Sequence, residues 1–355
     1  MADTSYPVGH ALAERVWAKR LIREALKETY CSRFMGTTQD SLIYVKDELN
    51  KSAGDRITYG LRMQLTGDGV AGDGTLEGQE EALTTYADTI IIDQLRHAVR
   101  SSGKMSEQRV SFSVREEARV GLTDWWADRI DTAFFNQIAG NTAQADLRYT
   151  GQNATLAALP SSGANARIIY GSVSTTENSL SGESASAEFQ LTMIDAAVTL
   201  AKTATPLIRP IRVNSQPKYV AFLHPFQTHN LRTDATSGRI TWYDAQKSRV
   251  NGGELDNPIF NGALGEYNGV IIHESTRVPL APSTTTVRRA ILCGAQAACF
   301  GTPSGDTKSM TWVEEKFDYG NKLGVSASMI WCLKKAVFNA VDFGTIVMSS
   351  HAEAP

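Results

Sequence analysis

The residues best suited to chemistry lie in a glycine-rich stretch, GDGVAGDG, at 67–74. Gly67, Gly69 and Gly72 spell G-x-G-x-x-G. That pattern cradles a pyrophosphate only between a strand and an apolar helix of a βαβ unit. Here Thr75, Leu76, Glu77, Gly78, Gln79, Glu80 and Glu81 follow, and Asp68 and Asp73 would repel a phosphate. Asp68, Asp73 and Glu77 offer hard oxygen ligands for calcium, but their spacing fits no EF-hand, so an acidic solvated turn is the reading and no metal is expected. His224 and His229 flank the start of a predicted helix at Pro225, and His273 precedes Glu274. Such groups can bind metals or move protons, yet His224 follows a buried strand, where a hydrogen-bonded structural histidine is common. The sequence contains no G-x-S-x-G elbow, HExxH pair or Walker A lysine loop. No catalytic or cofactor-binding residue is assigned, no cofactor is expected, and the chain reads as a non-enzyme.

Charge and composition narrow the class. The 355 residues carry 35 basic and 38 acidic side chains, a net charge of −3. A protein built to grip DNA carries a basic stripe or a strong positive balance, so any nucleic-acid contact should be weak and sequence-independent. Cys31, Cys293, Cys299 and Cys332 form no CxxC pair, and the apolar run ILCGAQAACF around two of them suits buried free thiols. The N-terminal MADTSYPVGHALAERVW lacks an apolar h-region, and no run of about 18 apolar residues exists, so neither a signal peptide nor a membrane span is expected. The expected site of synthesis is the cytosol.

The elements that would position these residues follow from periodicity. Residues 10–30 read as a helix with Leu12, Val16, Ile22, Leu26 and Tyr30 on one stripe and Trp17 and Leu21 opposite. Two stripes imply two packing partners, either two parts of one fold or the parent domain and a neighbouring subunit. Ile57, Tyr59, Leu61, Met63 and Leu65 alternate with polar or small residues, the period of a strand. The glycine-rich segment turns the chain, and a second strand is predicted around Tyr86–Ile92. A two-stranded arm alone is marginal in water, and makes sense if another copy of the chain covers it.

A long helix is predicted from Val114 to Ala139. Ser113 and Glu116 suggest a capping box, Ala118, Leu122, Trp126, Ile130, Phe134 and Ile138 recur every four residues, and Gly140 is a natural stop. At 1.5 Å per residue it spans about 39 Å. Residues 141–187 read as loops and short strands. From Ala187 the pattern turns α/β: FQLTMIDAAVTLAKT as a helix, KYVAFLHP as a strand buried on both faces, PFQTHNLRTD as a helix, then GVIIHES and RRAILCG as strands. After Trp312, antiparallel strands are predicted to return to the long helix.

This order resembles the α+β Hong Kong 97 type capsid fold of tailed phages. The strings RITYGLRMQLTGDGVAGDGTLEGQEEAL, VAFLHPFQTHNLR and NPIFNGALGEYNGVIIHES are similar to the major capsid protein family of N-four-like phages. The resemblance implies an N-terminal arm at 1–54 and an extended loop at 55–85 overlapping a neighbour. It further implies a peripheral domain at 86–187 with a spine helix at 113–140, an axial domain at 188–310, and return strands at 311–355. The implied role is a virion shell subunit. It would assemble in the host bacterial cytoplasm as hexamers and pentamers around double-stranded DNA, touching that DNA without sequence preference. Portal, cement or decoration proteins are implied partners.

Two departures matter. The type member joins an extended-loop lysine covalently to a neighbour, whereas no lysine lies between Arg56 and Glu81 here, so no covalent mesh is expected. About 50 residues precede the loop, so scaffolding is expected from a separate protein. The acidic tip (Asp68, Asp73, Glu77, Glu80, Glu81) is expected to face Arg109, Arg115 and Arg119 of a neighbour, with Trp17 and Leu21 as further inter-subunit contacts. A cellular nanocompartment shell and a soluble α/β enzyme are the alternatives.

Overall fold

The computed structural model describes residues 29–46, 55–62, 65, 67–109, 113–159, 166–171, 176–181, 187–213, 215–234, 242, 264–282, 284–302 and 310–354. The helix expected over 10–30, with Trp17 and Leu21, lies outside them apart from Thr29 and Tyr30. Tyr30 opens a 3-10 turn, Tyr30–Phe34, rather than closing an α-helix. In chain order the elements are β1 (Met35–Gly36), β2 (Ile43–Lys46), β3 (Arg56–Arg62), β4 (Thr85–Ile91), β5 (Asp93–Arg100), α1 (Lys104–Gln108), α2 (Val114–Ala139) and β6 (Ile168–Tyr170). There follow α3 (Leu191–Thr203), β7 (Ile211–Val213), β8 (Gln216–Leu223), α4 (Pro225–Thr233), β9 (Gly265–Tyr267), β10 (Val270–Glu274), β11 (Val287–Cys293) and β12 (Ala298–Gly301). The chain ends with β13 (Met310–Phe317), β14 (Lys322–Lys335), β15 (Val337–Phe338), β16 (Val341–Asp342) and β17 (Thr345–His351).

The long helix α2 has the expected bounds. All six residues of its four-residue repeat are buried, as is Phe135. Its start differs from expectation: the Ser113 side chain makes no capping hydrogen bond. Ser113 is exposed, so water can serve the first turn, and Glu116 and Glu117 there suit the positive end of the helix dipole. The far end stops as predicted. Gly140 takes φ 64° and its N–H reaches the carbonyls of Asn136 and Gln137. A Cβ at this position would stand 2.7 Å from the Ala158 nitrogen, so the left-handed turn and the close backbone both require glycine. Arg289 completes this end: one guanidinium nitrogen donates to the carbonyls of Ala139 (3.0 Å) and Gly140 (2.6 Å), while the others pair with Glu177.

Helix α2 is packed between two sheets. The first runs β1-β2-β12-β14-β13, with β5 also paired to β14. Trp126 meets Trp331 of β14 edge-to-face at 6.4 Å. The second runs β6-β17-β11-β8-β10-β9, with β7 also on β8. The apolar run of β8 explains itself here. Val220 and Phe222 join the core around α2, while Tyr219, Ala221 and Leu223 join a second core with Ile194, Ala197 and Val198 of α3. A strand buried on both faces needs no polar alternation.

The strands after Met310 divide between the sheets: β13 and β14 belong to the first, but β17 pairs with β11 and β6 in the second. The run ILCGAQAACF likewise divides between sheets, with β11 in the second and β12 in the first. Gly294 makes the crossing tight, since a Cβ there would lie 2.4 Å from the Arg209 carbonyl oxygen. Apolar strands bind either sheet equally well by composition, and the connecting turn decides which.

Candidate functional site

The two-stranded arm exists. β3 and β4 pair antiparallel from Arg56↔Ile91 to Arg62↔Thr85. Leu65 lies beyond the strand rather than in it, and Met63 lies outside the described residues. At the base, Ile57 and Ile90 are buried against Cys299 and Cys332 of the first sheet. Burial pushes both thiols up, to about 12, so they are inert neutral groups, as the buried free-thiol reading expects. Polar bonds close the seam. The Asp88 carboxylate accepts from Tyr59 Oη (2.7 Å), Lys334 Nζ (2.5 Å) and, more weakly, the Val337 N–H (3.4 Å). The Asn153 amide accepts from the Ile91 N–H (2.8 Å) and donates to the Ile91 carbonyl (3.0 Å), imitating a strand partner. Asp88 and Asn153 were not singled out from the sequence. A signal existed for Asp88: it shares a strand face with Ile90, and a buried acid calls for a buried base.

Past Arg62 this support ends. Residues 67–84 form no strand and are all exposed, and with Leu65 they include Leu65, Val70, Leu76 and Leu83 as open apolar side chains. Gly69 (φ 71°) and Gly72 (φ 66°) take left-handed turns. The G-x-G-x-x-G pattern thus sits between antiparallel strands, with no helix behind it, and has no phosphate-binding geometry.

The acidic residues of this tip serve two kinds of role. Glu81 accepts from the Gly67 N–H and Glu80 from the Gly78 N–H, each at 2.7 Å, so both brace their own loop. Asp68, Asp73 and Glu77 are exposed. Among the described residues no three metal-ligating side chains converge. Of the arginines, Arg115 is committed within the chain: it pairs with Glu314 at 2.6 Å, and Trp312 donates to the same carboxylate. Arg109 is exposed at the end of α1, and Arg119 is half-buried on α2.

The histidines serve separate structural jobs. His97 stacks on Trp125 at 4.5 Å, His229 is exposed on α4, and His273 packs among Phe34 and Phe222. His224 caps α4: its Nδ1 accepts from the Phe226 N–H (3.2 Å), while its own N–H donates to Gln227 (3.1 Å). Sequence reasoning anticipated a structural role here, but not the capping box. Burial, and then the Arg288 guanidinium, lower its pKa to about 4. The unfolded chain binds a proton near the ordinary 6.5. Stability from this cap is therefore complete above pH about 6.5 and is lost as pH falls toward about 4. Thermal melts between pH 7 and 4.5 should show a declining midpoint in the parent and a shallower decline in His224→Asn, which can cap without titrating. Parallel declines would refute the assignment.

Among the described residues no helix is long and apolar enough to cross a membrane. The model of a family described as phage capsid protein matches residues 5–354. The chain is 31% identical over 363 residues to the major capsid protein of Pseudomonas phage KPP25, covering 93% of each. The fold is similar to the capsid of Ralstonia phage GP4, with a TM-score of 0.77 at 30% identity over 92% of each chain. It is also similar in fold to the cyanophage Pam1 capsid, with a TM-score of 0.71 at 21% identity over 93% of this chain and 94% of that one.

Proposed function

Because the chain belongs to the phage capsid protein family, its work is structural and its place is the virion capsid, and we propose that its copies form the hexamers and pentamers of an icosahedral shell of the Hong Kong 97 type around double-stranded DNA. It is a shell subunit and not an enzyme. The observation that carries the finer reading is the arm. Its base is welded to the first sheet, while Leu65, Val70, Leu76 and Leu83 at its end lie open. Apolar side chains in that position gain about 25 cal/mol for each Å² they bury, and a neighbouring copy is the natural cover in a symmetric assembly.

The proposed layout keeps residues 1–54 as an arm, 55–85 as the overlapping loop, 86–187 with α2 as the peripheral domain, and 188–310 as the axial domain. The chain positions of β12 and β17 argue for drawing the last two boundaries by sheet rather than by sequence. At the loop, Asp68, Asp73 and Glu77 are the acids left to meet basic groups of a neighbour, with Arg109 the most open of the three arginines. Such rim pairs orient more than they stabilise. Scaffolding, portal and cement proteins are the further partners this role implies, with assembly in the host cytoplasm and weak contact with packaged DNA.

Electron microscopy of the purified protein tests the reading. The parent should form closed shells, and a variant with residues 67–83 replaced by a short glycine linker should remain folded but unassembled. Boiling parent shells in SDS should release single chains, since the loop holds no lysine. A small discrete oligomer from the parent, shells from the loopless variant, or a covalent ladder on the gel would each contradict part of the proposal.

A further inference from the structure

Asp131 is a carboxylate in the middle of the apolar face of α2, and it is 1% exposed. A buried charge there is costly unless it is fully used. Its two oxygens accept from two consecutive backbone amides, Tyr30 N–H at 2.9 Å and Cys31 N–H at 3.0 Å, a hundred residues away in sequence. These amides open the 3-10 turn Tyr30–Phe34, whose own N-cap, Thr29, provides no side-chain cap. Asp131 therefore does from a distance what a local cap does elsewhere. Arg277, in the segment after β10, supplies the counter-charge, 3.6 Å from Asp131 and 3.0 Å from Asp128 one turn earlier on α2. The turn is also keyed by its rings: Tyr30 and Phe34 pack edge-on or stacked against Phe135, Phe222 and His273, with centroids 5.2–6.3 Å apart.

A single hydrogen bond would hold a point of the chain. Two bonds from one planar carboxylate to successive amides hold a direction as well. The rings could keep residues 30–34 in their pocket with the main chain entering at several angles, but the carboxylate accepts one. We propose that Asp131 is a positioning residue for assembly: by holding the amides of Tyr30 and Cys31 it fixes the direction in which the main chain enters the body at Thr29, where the proposed N-terminal arm joins it. This rests on the reading of the N-terminal residues as an assembly arm. Arg277 contributes by orienting the carboxylate, and the same guanidinium ties it to Asp128.

The test uses the full-length chain. In Asp131→Asn one oxygen still accepts, but the other amide loses its partner and faces a second N–H donor. Hydrogen exchange of the unassembled protein should accelerate at least tenfold at Tyr30 and Cys31, with protection in the core of α2 unchanged, and shell yield should fall severalfold. Arg277→Gln, a milder change, should give a smaller acceleration confined to the same turn, and it decides the matter if the asparagine variant does not fold. Unchanged exchange at Tyr30 and Cys31 overturns the proposal, as does accelerated exchange with normal shell yield. Absence of shells from the parent itself would instead count against the shell reading, and the exchange data would still show whether Asp131 holds the turn.

Discussion

Replacing Asp88 by alanine should destabilise the protein by about 3–5 kcal/mol and release the arm from the first sheet. The figure is that for removing one member of a buried ion pair. Asp88 and Lys334 are both largely buried, with side chains 10% and 15% exposed. In the alanine variant Lys334 would keep only the Thr89 carbonyl at 2.9 Å. Tyr59, held neutral by burial and by Asp88 itself, would lose its acceptor too. Most of the loss comes from the stranded ammonium rather than from the missing attraction. The double variant Asp88→Ala, Lys334→Met should therefore recover more than half of it. Urea denaturation of the unassembled chain measures both. A single variant within about 1 kcal/mol of the parent would mean that the Ile57–Ile90 contacts alone hold the arm. If the arm carries assembly as proposed, Asp88→Ala should also form no shells at temperatures where its body remains folded.

Trp126→Ala should cost about 3–5 kcal/mol, the range for emptying a large aromatic site in a close-packed core. Trp126 is fully buried on α2, edge-on to Trp125 at 5.1 Å and to Trp331 of β14. The contact is ring on ring, so the indole itself keys the helix to the sheet. Its indole nitrogen has no hydrogen-bond partner among the described side chains and backbone, and Trp126→Phe should accordingly lose much less. Equal losses for the two substitutions would show that the nitrogen does matter. The alanine effect on stability should exceed that of any exposed position of α2, such as Val120, by severalfold.

Much of this architecture is legible from local pattern. The four-residue repeat from Ala118 to Ile138 locates α2 to the residue, because a helix buried on one side must repeat near 3.6. Gly140 marks its end because few other residues tolerate that turn. The alternation from Ile57 to Leu61 marks β3, since a strand with one buried face repeats every second residue. The unbroken run in β8 announces burial on both faces. The absence of catalytic motifs was equally readable.

Partnership was not. Ser113 and Glu116 match a capping pattern, yet the exposed serine leaves the cap to solvent, whereas His224, a poor match, forms one. Arg115 was expected to face the acidic tip of a neighbour, and nothing in its local sequence names Glu314, the partner it has within its own chain. Lys334 and Asp88 are 246 residues apart, and nothing local to either names the other. By itself, then, the chain's order of residues determines which stretches are helix or strand and which face of each is apolar, because those properties depend on neighbours within a few residues. Which sheet β12 and β17 join, where the arm is welded, and which acid holds the start of the Tyr30 turn are decided only by the tertiary structure. Periodicity selects a face, but the energy of a buried charge or a strand pairing belongs to two partners at once, and the fold alone brings them together.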